Sequence, residues 1–268
     1  MTTIEQTAAE DDPRRKGPDG LRALDRAMSI LFLLASRPQG ISLAEIARET
    51  GITLSTVHRM VGALRERRLV RETPNGMQAL GPASLVLARG FLGGLDFRVE
   101  ALPVMSELRE RTGEAIHLGT LASPHIVFVD KLETVHAVRT ASRIGGTAPA
   151  VLTSLGRAIL AYSPQPVVDS VREATINLLG REIAADVLEA VLRDTRERGY
   201  AVDREENEPG VDCVGAPIFD DTGRVIAAIS VSVPAERFDD QRMAVIGELV
   251  ADAARRVSSA IGHQGPIG

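Results

Sequence analysis

The chain has 268 residues, enough for two ordinary domains. Its 44% hydrophobic and 25% charged residues match a soluble globular protein; no apolar run approaches the ~18 residues of a membrane helix, the first residues lack the apolar core of a signal peptide, and the single cysteine, Cys213, excludes an internal disulfide and a cysteine-based zinc finger, so a cytoplasmic location is expected. The net charge of −5 hides an uneven distribution: residues 14–80 carry 12 Arg and Lys against six acidic residues, on an acidic remainder, and a local basic excess is what phosphate contacts need.

Residues 1–20 are polar, charged and interrupted by Pro13 and Pro18, which predicts a disordered N-terminal arm. From Leu21 the chain turns helical, with Leu24, Ala27, Met28, Leu31 and Leu34 at spacings of three and four. Pro38 and Gly40 end that helix. Ser42 and Glu45 form a capping box for a second helix, which Gly51 breaks. A third helix is predicted from about Thr53 to Arg67. A short strand at residues 69–72 leads into Pro74-Asn75-Gly76, where Asn-Gly signals a two-residue hairpin turn, and the returning strand is Met77–Leu80. Three helices and a hairpin give a winged helix-turn-helix over residues 21–81.

Gly81-Pro82 marks a boundary. Residues 82–96 read as a linker helix whose Leu85, Leu87, Phe91 and Leu92 exceed what one small domain covers, so a homodimer, possibly a dimer of dimers, is expected. A helix from about Phe97 to Thr112 follows, carrying Val99, Leu102, Met105 and Leu108. Then come alternating runs at Ala115–Leu121, Ile126–Leu132 and Ala137–Thr140. Helices near Ser154–Ala161 and Glu182–Arg198 precede strands at Tyr200–Val202, Val211–Phe219 and Val225–Val233. A last helix spans about Asp239–Ile261. This order predicts an α+β second domain, residues 97–262, with helices around an antiparallel sheet, and a tail at 263–268.

The most informative stretch of the first domain is residues 42–70. Ala47 is small where two helices touch, Gly51 supplies a positive φ for the turn, and Val57 fills the gap between the helices. Leu54, Val57, Val61 and Leu64 fall on one face of the third helix. Ser55, Thr56, His58 and Arg59 are left on the other, near its N-terminus, where a recognition helix reaches base edges in the major groove. Arg59 suits guanine. Arg65 and Arg68 suit phosphates, which set register but not sequence, and Asn75 stands at the wing tip. Double-stranded operator DNA is the expected partner.

With LRALDRAMSILFLLA at the start, GITLSTVHRMVGAL on the third helix, LTSLGRAILA at 152–161 and RERGYAVDREENEPGVDCVGAPIFDDTGRVIAAISVS at 196–232, the chain resembles the isocitrate lyase regulator (IclR) family of bacterial transcription factors from about Leu21 to Ile261. The resemblance implies a GAF-like second domain that binds a small organic acid effector and no cofactor. It also implies the effector site: the backbone of Val151 and Leu152, with Asp203, Cys213, Ser230 and Ser232. The chemistry of those residues agrees. Backbone N–H groups near a helix start favour an anion, hydroxyls donate to a carboxylate, and residues two apart on a strand share a face. Plainer roles stand beside these: Cys213 as a small buried hydrophobe, the serines bonded to the sheet or on its solvent face, and Asp203 capping the loop 204–210.

Two other readings compete. An enzyme would use Cys213 as nucleophile with Asp203 and with His117 as base, but no motif supplies an activated thiolate. A metal site would use the same three residues, which lack a closely spaced ligand pair. The expectation is therefore a non-enzymatic, metal-free regulator, since a purely structural dimer module does not explain a basic winged helix.

Overall fold

In a computed structural model of the chain, residues 19–92, 96–136 and 140–265 are described. The chain divides into two compact units, residues 1–91 and 92–268. The arm expected at 1–20 lies outside the described residues up to position 18, as do 93–95 of the linker and 266–268 of the tail.

The first unit contains α1 (Asp19–Ala35), α2 (Leu43–Thr50), α3 (Leu54–Glu66), the antiparallel pair β1 (Val70–Glu72) and β2 (Gln78–Leu80), and the beginning of α4 (Ala83–Leu92). Ile30, Leu34, Ile46, Val57, Val61 and Leu64 form its core. The capping box is present: the Ser42 hydroxyl accepts from the Glu45 N–H at 3.2 Å, and the Glu45 carboxylate accepts from the Ser42 N–H at 3.0 Å. Gly51 ends α2 at φ 67°, a left-handed turn that a side chain would resist.

Three expectations for this unit need correction. On α1 the buried pair is Ile30 and Leu34, while Leu24 and Met28 lie exposed on a second apolar face that also carries Leu21 and Phe32. Leu54 is 53% exposed; it opens α3, one turn before the first residue that meets the core. The wing is not a two-residue Asn-Gly hairpin. Among residues 73–77 only Gly76 has positive φ, at 75°, and a type I′ turn needs it at both central residues. Pro74 has no N–H with which to close an Asn-Gly hairpin onto Met77; its fixed φ suits the second position of a four-residue turn, with the Gly76 N–H donating to the Thr73 carbonyl at 2.9 Å, and Gly76 then brings Met77 opposite Thr73.

The second unit is built on a six-stranded antiparallel sheet in the order β5-β4-β3-β8-β7-β6. The strands are β3 (Ala115–Ala122), β4 (His125–Leu132), β5 (Thr147–Pro149), β6 (Ala201–Arg204), β7 (Val211–Phe219) and β8 (Val225–Pro234). The helices are α5 (Asp96–Thr112), α6 (Ser154–Leu160), α7 (Gln165–Leu179), α8 (Ala185–Arg198) and α9 (Asp240–Ala260). Alternation divides each strand between two cores. Ile116, Leu118, Val214, Ala216, Ile229, Val231 and Val233 pack with α5 and α9. Ala201 and Ala228 face the other way, toward α6, α7 and α8. α6 lies so close on this second face that a Cβ on Gly215 would stand 2.9 Å from the Ser154 carbonyl carbon, so β7 carries a glycine where the helix crosses it.

Two elements depart from expectation. α7 had no counterpart in the sequence reading; Pro166 sits in its first turn, where a missing N–H costs nothing. Of the strand expected at Ala137–Thr140, residues 137–139 lie outside the described residues and Thr140 is not in a strand; among the described residues the sheet ends at β5, Thr147–Pro149, a strand the sequence does not announce. On α5, Val99 is 66% exposed and Phe97, Ala101, Val104, Met105 and Leu108 take the buried side.

Candidate functional site

The helix-turn-helix presents its polar residues as a surface. Ser55, His58, Arg59, Arg65, Arg68 and Asn75 are exposed and Thr56 is half-buried. The Thr53 hydroxyl donates to the Thr56 hydroxyl at 2.9 Å and makes no cap bond to the backbone of α3. Arg59 has no hydrogen-bond or ion-pair partner among the described residues. Arg65 is engaged, its guanidinium 2.8 Å from Glu72 on β1, so it braces the recognition helix against the wing. Arg68 sits in the turn after α3 at φ 56°, a conformation that non-glycine residues adopt at a cost.

In the second unit, pairing across the sheet brings together residues far apart in sequence. Asp203 on β6 is opposite Cys213 on β7, which is opposite Ser232 on β8. One step along, Gly215 is opposite Ser230, Ser230 opposite His117 on β3, and His117 opposite Lys131 on β4. Directly paired residues share a face, so all six polar side chains point to the α6 side. Asp203, Ser230, Ser232 and His117 are buried, which removes the reading of the serines as a solvent face.

The groups form a chain of contacts. The Cys213 Sγ is 3.1 Å from the Ser232 Oγ, the Ser232 Oγ is 3.3 Å from His117 Nδ1, and His117 Nε2 is 2.7 Å from the Ser142 hydroxyl. Lys131 Nζ donates to the carbonyls of Ser142 at 2.7 Å and Thr140 at 3.2 Å, and lies 3.1 Å from the Glu133 carboxylate. Burial and the neighbouring Lys131 charge push the His117 pKa down to about 3, so its ring is neutral at pH 7. Burial pushes the Cys213 thiol well above its ordinary range. A protonated thiol is a poor nucleophile, which argues against the enzyme reading. Among the described residues no group of three His, Cys, Asp or Glu is placed to hold a metal ion, and no helix is long and apolar enough to cross a membrane.

Asp203 does cap the acidic loop: its Oδ1 accepts from the Glu206 N–H at 2.9 Å. Burial raises its pKa to about 7. Val151 and Leu152 form a 3-10 turn before α6. Arg157 joins the two regions, donating from Nε to the Val151 carbonyl at 2.9 Å, from Nη1 to the Val202 carbonyl at 2.8 Å, and to Glu206 with both Nη atoms. The sequence points to His117 only as a base in the enzyme reading and a ligand in the metal reading, and it does not single out Lys131, Ser142 or Arg157. A histidine facing a serine across two strands is a signal that strand register alone makes visible.

Comparison with known proteins settles the family. Residues 23–74 match the IclR helix-turn-helix domain, and residues 90–259 match the bacterial transcriptional regulator IclR C-terminal domain. The chain belongs to the IclR family of DNA-binding transcriptional regulators. It is 35% identical over 244 residues to the HTH-type transcriptional regulator BhcR of Paracoccus denitrificans, covering 89% of this chain and 87% of that protein. The crystal structure of the Thermotoga maritima IclR superposes with a TM-score of 0.74 at 28% identity, over 91% of this chain and 100% of that one. An IclR homolog from Microbacterium hydrocarbonoxydans, solved in complex with 4-hydroxybenzoate, gives the same TM-score at 23% identity, over 89% of this chain and 98% of that one, and attests the fold.

Proposed function

We propose that this IclR-family regulator binds a double-stranded operator through its winged helix and that a small organic acid in the second unit controls that affinity. On this reading residues 21–81 are the DNA-binding domain, 82–96 the linker and 97–262 the effector domain, and the protein works in the cytoplasm. Arg59, with Ser55, Thr56 and His58, reads bases. Arg68 and the wing residue Asn75 hold phosphates, and Arg65 orients the wing through Glu72. Asp203, Cys213, Ser230 and Ser232 supply the polar floor of the effector site, and the Val151–Leu152 turn supplies its wall.

The observation that carries the reading is the polar row itself. The strand that holds Ser230 and Ser232 is otherwise apolar on that stretch, and a sheet face buried beneath helices pays for polar groups unless they have partners. A protein named as an IclR homolog binds 4-hydroxybenzoate, a ligand of the expected class. The protein acts as a homodimer, or a dimer of dimers: Leu21, Leu24, Met28 and Phe32 on α1 and Leu85, Val86 and Leu87 on α4 are exposed apolar residues in a single copy, and such patches mark association surfaces.

The test is an effector titration of operator binding at one fixed salt concentration, with operator affinity without effector as the fold control. Ser230→Ala with Ser232→Ala removes two hydrogen bonds to a charged group, each worth roughly 1.5–3 kcal/mol, and should raise the half-maximal effector concentration by about a hundredfold or more. An unchanged half-maximal concentration places the ligand elsewhere. In the same assay Arg59→Ala should cost about 1–3 kcal/mol on the operator and relax its sequence preference at one position; equal loss on operator and random DNA removes Arg59 from base reading.

A further inference from the structure

The polar row has a positive end that the proposed function leaves unused. Lys131 is buried, with 6% of its side chain exposed. Burying an ammonium is costly unless it is paired, and two of its three partners here are neutral backbone carbonyls, those of Thr140 and Ser142. The third, Glu133, is 45% exposed and remains solvated. His117 is likewise engaged from the same strap, by the Ser142 hydroxyl, and Ser142 also meets the Thr140 hydroxyl at 3.0 Å. Three strap groups, two carbonyls and a hydroxyl, thus engage the side chains of a buried lysine and a buried histidine.

Space points the same way. Beside Ser232, between Ala115, Thr140 and Val211, the described residues leave a cavity of about 50 Å³. Small-molecule sites run to roughly 300–1,000 Å³, so this cavity is too small to seat an organic acid against Ser232 while Thr140 of the strap stays in its wall. The start of α6 is a poorer seat for its charge. That helix has seven residues, and the Gly156 N–H already donates to the Thr153 hydroxyl at 3.1 Å.

We propose that Lys131 is the charge partner that makes this pocket selective for a carboxylate, and that the Thr140–Ser142 strap is an internal occupant which the effector displaces. The inference rests on the effector-site reading above and adds the position of the ligand's charge. A carboxylate offers the same acceptors as the two strap carbonyls, with a full negative charge, so its bond to the ammonium is the stronger one. His117, neutral in this setting, keeps one N–H to donate and one nitrogen to accept, which lets it bridge the ligand to Ser232. An uncharged isostere replaces a carbonyl with another neutral group and gains nothing at Lys131. The pocket therefore discriminates by charge as well as by shape, with displacement of the strap as a fixed cost that a neutral ligand does not recover.

The experiment is calorimetric titration of the full-length protein with acetate, propionate, benzoate and 4-hydroxybenzoate, each against its primary amide. Wild type should favour the acid over the matched amide. Lys131→Met should weaken acid binding by about tenfold or more, the loss of one charge-assisted hydrogen bond, and leave amide binding within a few-fold, while Lys131→Arg retains the preference. Ser142→Ala, which removes the strap's bond to His117, should tighten acid binding several-fold. The proposal is overturned if wild type binds no acid in preference to its amide, if Lys131→Met binds acids as tightly as wild type, or if that variant tightens acid and amide alike, which would make Lys131 only the anchor of the strap. Where Lys131→Met fails to fold by circular dichroism, Ser142→Ala decides, and unchanged or weaker acid binding in it overturns the proposal. Failure of the underlying reading looks different: there Ser230→Ala with Ser232→Ala leaves the acid affinity of wild type untouched.

Discussion

Arg157 offers a measurable test of how the face proposed to bind the effector is held together. It lies on α6 with 7% exposure and binds the Val151 carbonyl, the Val202 carbonyl and the Glu206 carboxylate. Arg157→Met keeps much of the buried aliphatic stem and removes the guanidinium. Each carbonyl deprived of a donor in a buried setting costs about 1–3 kcal/mol. The Glu206 partner is 41% exposed, so it regains water, and that part of the loss is held to about 1 kcal/mol or less. The variant should therefore lose about 2–7 kcal/mol, a large share of the ~5–15 kcal/mol that folds an ordinary domain. Glu206→Gln removes only the exposed side of the pair and should cost under about 1 kcal/mol. Urea unfolding followed by far-ultraviolet circular dichroism is the assay, because the chain has no tryptophan; the two units need separate transitions in the fit. A loss below about 1 kcal/mol in Arg157→Met, or equal losses in the two variants, would refute the view that backbone carbonyls are its main partners.

Two further predictions follow from local geometry and charge. Arg68 holds φ 56° without being glycine, so Arg68→Gly should be about 1 kcal/mol more stable than Arg68→Ala, although both remove the same charge and should weaken DNA equally; identical melting of the two variants contradicts this. On the acid side, His117 has its folded pKa lowered to about 3, so the unfolded chain binds more protons between pH 6.5 and 3, and stability falls as pH drops through that window. Asp203 behaves oppositely: its folded pKa of about 7 makes the folded chain bind more protons above pH 3.8, and stability falls as pH rises from about 4 to 7. His117→Gln should flatten the acid limb of the stability profile and Asp203→Asn the limb toward neutrality, read as urea midpoints across pH.

Much of the first unit was legible because its signals are local. A serine and a glutamate three apart make a capping box, and Gly51 marks the turn that it occupies. The wing departs from expectation for a local reason as well: Asn-Gly favours a two-residue turn, but Pro74 before it has no N–H to donate to the Met77 carbonyl, and Thr73 makes that bond instead. The stripe on α1 illustrates a different limit. Periodicity finds apolar residues on a helix, but it does not say which of two apolar faces the unit's own core covers. Ile30 and Leu34 are covered and Leu24 and Met28 are not, because α1 carries more apolar surface than α2, α3 and the wing can bury.

The face proposed to bind the effector was half legible, and the missing half has one cause. Alternation along β8 places Ser230 and Ser232 together without any knowledge of partners, and the pairing Asp203–Cys213–Ser232 extends that logic over three strands. On β4 the same logic fails. Counting by twos from Ile126, which faces α6, puts Asp130 on the effector face and Lys131 on the other. The pairing with β3 slips between Leu118 and Gly119: Gly119 is opposite Phe128 and Leu118 opposite Asp130, so Val129 is an extra residue. Beyond it every side chain on β4 changes face. Asp130 then turns toward α5, where Arg98 Nε is 2.9 Å from its carboxylate, and Lys131 turns toward His117 and the serines. One inserted residue thus decides which of two adjacent, oppositely charged side chains turns toward His117 and the serines. A strand without the bulge would set a carboxylate where the proposed effector places its own, and like charges in a buried site repel. The bulge therefore sets the sign of the charge on this face of the sheet, and it is a property of pairing between strands that the residues of β4 alone do not encode.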